Sequence, residues 1–370
     1  MLNADIEILV FLLQNNSSVC PPINLVKKST SKLYEKAMFN KVFHALDHFT
    51  NCQNCQKHLN KSFKNKLIKH QKNSIFSSLL YEKEKQRLIS FLEKTKIKGI
   101  FFKDFKNKLN QQLFLTNDLD LLTNKQGMMI IDQWLTNQGY KKTIYPPKEI
   151  TYSKARYLNL DIHSMIAHPH FGTLNAQEIL IVRKFSTALL NNTKHNHHIQ
   201  NKNYQLLSLC IRFLFNDLAT GLGTLYEIGK LTQTYKKPSQ WSNFLQLAKQ
   251  YQFQNEAWLM IILSNCFFRY STPSFISKNT SWKILILAHL LPIEWFAEFP
   301  PLKFWHLKKY EPKIKKILIR LNILKLIIKN DSSLVRLIRP RIMAFFFAAI
   351  FINIRNKYQT ITSSLHLSSS

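Results

Sequence analysis

The chain has 370 residues, 45% of them apolar and 20% charged, which is enough apolar surface for a packed interior, too much length for one core by default, and too little charge for a disordered polyelectrolyte. Seven glycines exclude glycine-rich phosphate loops of the Rossmann or P-loop kind and point to helices. A formal net charge of +31 favours polyanions (nucleic acid, nucleotide phosphates, an acidic membrane face), while Lys, Asn and Ile are also abundant everywhere, as an AT-biased genome would produce.

Taken in chain order, Ile6–Leu13 is a short apolar stretch and Pro21-Pro22 ends it. No signal-peptide pattern follows. Lys57–Lys72 reads as a basic, solvated helix or loop, and Tyr81–Thr95 as a helix with Leu88, Phe91 and Leu92 on one face. The pattern then changes. Ile97-Lys-Gly-Ile-Phe-Phe102 is a short apolar run, and Asp118-Leu-Asp-Leu-Leu122 alternates with the period of a strand. Met128–Gln138 returns to helix period, with Gly139 at a helix C-terminal cap position. Tyr140–Tyr145 and Asn159–Met165 read as further strands.

Beyond residue 174 helices dominate: Ala176–Leu190, Tyr204–Tyr235, Gln240–Tyr251 and Glu256–Phe268, then a buried helix pair over Trp282–Phe296. His195-Asn-His-His198 reads as a solvated loop. The stretch 301–370 carries 14 Lys and Arg against Glu311 and Asp331, a local charge of +12. Within it Lys315–Lys329 is a cationic amphipathic helix. The longest apolar run there, Ile342–Ile352, is shorter than the roughly 18–20 residues a membrane span needs. Five cysteines, an odd count without a framework spacing, point to a reducing compartment and a cytoplasmic protein.

The expected architecture is α+β: a small mixed sheet flanked by helices, with a mainly helical C-terminal half. The expected divisions are a helical lead at 1–80, an α/β core at 81–172, a helical domain at 173–300 and a basic helical tail at 301–370.

Asp118-Leu-Asp120 carries the sharpest chemistry. On a strand, residues i and i+2 share a face about 6–7 Å apart, so two carboxylates can grip divalent cations. Hard oxygen ligands suit Mg²⁺ or Mn²⁺. Asp161, in the alternating run Leu160-Asp-Ile-His163, completes the set if its strand is adjacent. Two metals and three acids on a small sheet are the parts needed for phosphoryl or nucleotidyl transfer, with Asp161 as base. Against this, acid-Leu-acid also arises by chance on a solvated strand face.

The ordered set resembles the uncharacterised nucleotidyltransferase family of the polymerase-β-like superfamily. The resemblance rests on Ile97-Lys-Gly-Ile-Phe-Phe102, Asp118-Leu-Asp-Leu-Leu122, a helix ending at Gly139-Tyr140, and Leu160-Asp-Ile-His163. Leu222-Gly-Thr-Leu-Tyr-Glu-Ile-Gly-Lys-Leu231 with Trp241 is similar to the family's helical half, so the resemblance spans roughly residues 80–270. It implies that Asp118, Asp120 and Asp161 hold metal and that Gly99 lets backbone amides approach a triphosphate, with Lys98 a further phosphate contact. It also implies an NTP as substrate.

There are departures. Gly99-Ile100 stands where the superfamily has Gly-Ser or Gly-Gly. Glu227 replaces the expected helical acid, and Leu207–Asn216 carries Phe and Asn where histidines are expected. His163 reads as a structural partner of its strand.

Two further motifs remain. His44-x3-His48-x3-Cys52-x2-Cys55-x2-His58 has zinc-ligand types on one helical stripe, but structural zinc usually joins two chain segments and no second Cys-x-x-Cys exists. The basic stretch Lys308–Lys329, with Phe345–Phe351 beyond it, fits a packing helix first, and RNA or an anionic membrane second. The chain therefore reads as a metal-dependent nucleotidyltransferase whose acceptor is RNA, protein or a small molecule. The alternative is an inactive module of that fold binding nucleic acid or a membrane surface.

Overall fold

The computed structural model describes residues 4–270, apart from 102–117 and short stretches at 16–18, 29–32, 41, 47–48, 50–51, 60, 146–148, 156, 168–173, 175, 193–196, 198, 200 and 216–220. The expected helices at Trp282–Phe296 and Lys315–Lys329 and the apolar run at 345–351 lie outside the described residues. Among those described, no helix is long and apolar enough to cross a membrane.

Helices α1 (Ala4–Gln14), α2 (Ile23–Lys28) and α3 (Leu33–Phe39), a 3-10 turn (Phe43–Leu46) and α4 (Gln53–His58) lead into α5 (Lys61–Thr95). The two segments expected at 57–72 and 81–95 are thus one 35-residue helix. No Gly or Pro interrupts it, and its Lys, Glu, Gln and Leu are good helix formers. Its first half has a solvated pattern because Phe63, Leu67 and His70 are its main buried contacts, while Ile68, Phe76 and Leu79 stay exposed.

Then come β1 (Gly99–Phe101), β2 (Asp118–Thr123), α6 (Lys125–Asn137), β3 (Lys141–Tyr145), β4 (Glu149–Ser153) and β5 (Asn159–His163). The chain continues through α7 (Ala176–Asn191), α8 (Lys202–Phe215), α9 (Leu222–Thr232), α10 (Pro238–Gln250) and α11 (Gln254–Phe268). The single helical stretch expected at 204–235 is two helices, with Gly221 at φ +89° just before α9.

The five strands lie in the order β1-β2-β5-β4-β3. Only the β2–β5 pair is parallel. Parallel neighbours need a crossover, here supplied by α6 and the β3–β4 hairpin. The sheet is therefore mixed and the fold is α+β. Asn124 caps α6 by accepting from the Gly127 amide at 2.7 Å. Gly139, at φ +78°, closes that helix: its amide donates to the Thr136 carbonyl and the Tyr140 amide to Leu135, the bond pair of a Schellman motif.

Two apolar clusters flank the sheet. The smaller takes Leu88 and Leu92 of α5, Ile131 and Leu135 of α6, and Phe101, Leu119, Leu121, Tyr152, Leu160 and Ile162 of the strands. A polar seam locks its rim: Tyr140 Oη donates to the buried Glu84 at 3.0 Å, and Arg87 reaches both Glu84 (2.8 Å) and Tyr140 (2.7 Å). The larger cluster joins α1–α4 and the start of α5 to α7–α11, and includes Ile100 and Leu122 from the sheet. Residues near the N-terminus thus share a core with residues near 260. Hydrogen bonds cross that distance: Gln14 Nε2 donates to the Phe267 carbonyl at 2.8 Å, and at the start of α9 the Leu222 amide donates to Asn40 Oδ1 at 3.1 Å and the Gly223 amide to the Asn40 carbonyl at 2.9 Å.

Candidate functional site

The period of two decides where the acids go. Leu119 and Leu121 of β2, and Leu160 and Ile162 of β5, face the small core. Asp118, Asp120 and Leu122, with Asp161 and His163, must then face the other way, toward the helical half. The β2–β5 register sets Asp120 opposite Asp161 and Leu122 opposite His163. Leu122 sits in the large core, which confirms the direction of that face.

On this face Asp120, Asp161 and His163 are all buried, and one ligand atom from each lies within 4.8 Å of the others. His163 Nε2 is 2.9 Å from Asp120 Oδ1, so with Asp120 ionised the imidazole N–H donates and orients that carboxylate. Thr151 of β4 donates from Oγ1 to Asp161 Oδ1 at 2.6 Å. Burial pushes Asp161 up to about 6; the Thr151 bond pulls it down, the Asp120 charge pushes it up, His163 opposes and Asp118 adds a weaker push. Two carboxylates desolvated side by side are costly without a cation between them, and this donor set of hard oxygens with one imidazole fits a divalent metal ion.

The expected site residues fall in three places. Asp120 and Asp161 come together across the register. Asp118 shares their face two residues earlier and is half-exposed, outside the 4.8 Å cluster yet near enough to raise Asp161. Lys98 is exposed, with Nζ 3.5 Å from Asn191 Oδ1. Gly99 lies in β1, where a Cβ would meet Leu92 and Leu121 side-chain methyls at 3.0 Å, so close packing against the small core is itself a reason for glycine there.

Glu227 is half-buried on α9, and from Leu206 to Phe215 every residue of α8 is buried, which makes that helix a core element. The solvated loop expected at 195–198 is corrected at His197, which is 7% exposed. Its Nδ1 donates to the Gly99 carbonyl and its carbonyl accepts from the Phe101 amide, both at 3.0 Å, so it covers the outer edge of β1. His195 and His198 lie outside the described residues.

Two contributors escape a reading of the residues alone. Thr151 sits on β4, a strand hidden behind Pro146-Pro147, a pair that signals the end of pairing. The β-branched and aromatic run Ile150-Thr-Tyr152 is the available signal. Gly127 lets α6 close onto β2, since a Cβ there would collide with Thr123 Oγ1 and meet Ile97 Cγ2 at 2.8 Å. Thr123 in turn donates to the Lys98 carbonyl at 2.8 Å, tying β2 to the entry of β1.

The model of one family, described as uncharacterised nucleotidyltransferase, matches residues 28–269. The chain belongs to the uncharacterised nucleotidyltransferase family. No curated protein and no solved structure matches it. The family match takes in the whole sheet, the acidic cluster and α7–α11, and reaches back into α2. Membership makes nucleotidyl transfer the general chemistry, with an NTP as the implied substrate, and the buried Asp-Asp-His group supplies donors that a divalent ion could use.

Proposed function

We propose that this nucleotidyltransferase is metal-dependent and moves a nucleoside monophosphate from an NTP to an acceptor hydroxyl, releasing pyrophosphate. One observation carries the reading: Asp120 and Asp161 stand opposite each other across the parallel pair on a buried face, with His163 holding Asp120. Asp118, Asp120 and Asp161 are assigned to Mg²⁺ or Mn²⁺, which when bound would neutralise the triphosphate and acidify the acceptor hydroxyl.

Asp161 also takes the acceptor's proton. In the metal-free chain burial pushes it up to about 6, which makes it a stronger base than an ordinary carboxylate. Thr151 occupies its Oδ1, which leaves Oδ2 for the proton. The acceptor oxygen bonds to the α-phosphorus. The bond from that phosphorus to the oxygen bridging to the β-phosphorus breaks, and pyrophosphate leaves with its electron pair. Lys98 and Gly99 are assigned to the departing phosphates. His163 is a positioning residue for Asp120. We place the activity in the cytoplasm, with RNA, protein or a small molecule as the acceptor class and membrane contact not favoured.

A second reading, an inactive module of the same fold that binds nucleic acid or an anionic membrane, is favoured by one observation: the Gly99 α-carbon backs onto leucines rather than an open phosphate site.

The test uses NTPs radiolabelled at the α-phosphate, with Mg²⁺ or Mn²⁺, and host RNA and protein as acceptors. Label transferred by the wild type and lost in Asp118→Ala/Asp120→Ala supports the transferase and shows which polymer is modified. Absence of both label and metal-dependent NTP binding by calorimetry leaves the binding module.

A further inference from the structure

A second cluster lies among residues that the nucleotidyl-transfer reading does not use. Cys52 and Cys55 belong to the motif at 44–58, but the structure does not place that motif on one helix. It breaks it between the 3-10 turn at Phe43–Leu46 and α4, and among its histidines His48 and the side chain of His44 lie outside the described residues. The third partner is Cys20, from a segment 32 residues earlier. The sulfurs of Cys20, Cys52 and Cys55 lie within 4.8 Å of one another. None of the five cysteines is in a disulfide.

We propose that Cys20, Cys52 and Cys55 form a zinc site that fastens the segment before α2 to the start of α4. A tetrahedral ion with sulfur arms of ~2.3 Å sets its ligand sulfurs ~3.8 Å apart, so Cys20 and Cys52, whose sulfurs stand 2.6 Å apart, must open by ~1 Å to take it, a shift the exposed Cys20 side chain is free to make. Cys52 Sγ also accepts from the Cys55 amide at 3.4 Å, a contact that favours sulfur as thiolate. The missing second chain segment, the objection to zinc when the motif is read alone, is supplied by Cys20.

The backbone is built to hold the three together. Pro21 and Pro22 stiffen the chain directly after Cys20, and α2, which they introduce, packs against α4. Cys55 is 3% exposed and belongs to the large apolar core, whereas Cys20 is exposed, so an ion has a way in from solvent. Soft thiolates select zinc over Mg²⁺, so this site and the acidic one do not compete for the same ion.

The chemistry balances as one Zn²⁺ bound and three thiol protons released. Because each thiol must lose its proton to bind, uptake should weaken as pH falls.

The test uses the full chain, purified under reducing conditions without an affinity tag that binds metal. Elemental analysis after gel filtration should find one zinc per chain in wild type and in the control Cys266→Ser, and at least a tenfold loss in Cys20→Ser and Cys52→Ser. Cys20 is exposed, so its replacement does not threaten folding. Adding a chelator should lower the wild-type melting temperature to that of Cys20→Ser and leave Cys20→Ser unchanged. Metal-free wild type given Co²⁺ should show the ultraviolet thiolate-to-cobalt charge-transfer band, and Cys20→Ser should not. Zinc retained by Cys20→Ser, no thiolate band with Co²⁺, or a Cys20–Cys52 disulfide in place of metal under the same reducing conditions would each overturn the proposal.

Discussion

The two apolar cores meet at β2, but they are assembled from different distances along the chain. The sheet core takes nearly everything from residues 88 to 162, and its inward residues follow the strand period. The helical core joins residues 6–67 to residues 165–268, with only Ile100 and Leu122 from the sheet strands at its edge. Between the two lies one face of β2 and β5 bearing acids in place of aliphatics. A sheet face that could have been sealed by more Leu and Val instead buries Asp120, Asp161 and His163, which costs stability unless those groups serve something else.

The sharpest way to break this comparison is to exchange chemistry on the two faces of the same strands. Asp120→Asn removes the charge of a proposed metal ligand and leaves only a neutral amide oxygen to accept the His163 bond. NTP labelling should fall about 10³-fold, corresponding to ~4 kcal/mol of transition-state stabilisation, while the denaturation midpoint stays at or above the wild-type value. Labelling that survives this change would remove the acids from the mechanism. On β5, one residue from Asp161 and on the opposite face, Leu160→Ala should act in reverse. It should cost ~3 kcal/mol in urea unfolding, because a fully buried leucine leaves a cavity in the small core. A stability loss below ~1 kcal/mol would mean that this core relaxes around the gap and is not a rigid support for the acid face.

That contrast also explains which parts are legible from residues alone. Alternation over 118–122 and 159–163 is a local signal, so the acid face and the leucine face follow from the residues themselves, and the parallel pairing then brings Asp120 and Asp161 together. Gly139 ends α6 as expected because its φ of +78° is a local requirement. Thr151 is not legible in this way because its strand follows two prolines. Its role depends on β4 pairing beside β5, which no local pattern encodes. The helical core is harder for the same reason: nothing in residues 4–67 announces that they pack against 174–268. Cys20 illustrates this, since its partners lie 32 residues away and only folding brings the sulfurs together.

A smaller effect should appear in the pH dependence of the metal-free protein. Asp161 titrates near 6 in the folded chain, against an ordinary value of 3.8, so between those values the folded state holds more protons than the unfolded state. The Asp161 contribution to stability is then greatest below about pH 4 and falls as pH rises toward 6, by something on the order of 2 kcal/mol. Urea unfolding in a chelator at several pH values should show this decline, Asp161→Asn should flatten it, and Mn²⁺ should restore stability at pH 7. Because the Thr151 bond favours the carboxylate, Thr151→Val should extend the decline to higher pH. A wild-type midpoint unchanged across this window would mean that Asp161 is not desolvated as the structure indicates.

The smallest expected effect tests whether the two ends of the helical core are coupled by more than apolar contact. Helix α9 begins after Gly221, which has no side chain with which to cap it. Its first amides are instead served by Asn40, which follows α3: Leu222 donates to the side-chain oxygen and Gly223 to the carbonyl at 2.9 Å. Asn40→Ala keeps the carbonyl and removes the side-chain cap, so it should cost ~1 kcal/mol and Asn40→Asp should recover most of it. The informative readout is local. Hydrogen exchange at the Leu222 amide, 182 residues from the mutation, should accelerate, while the amides of β2 and β5 stay protected. Faster exchange in the sheet as well would show the two cores opening as one cooperative unit. No change at Leu222 would show that the N-terminal helices only rest against α9 and do not organise it.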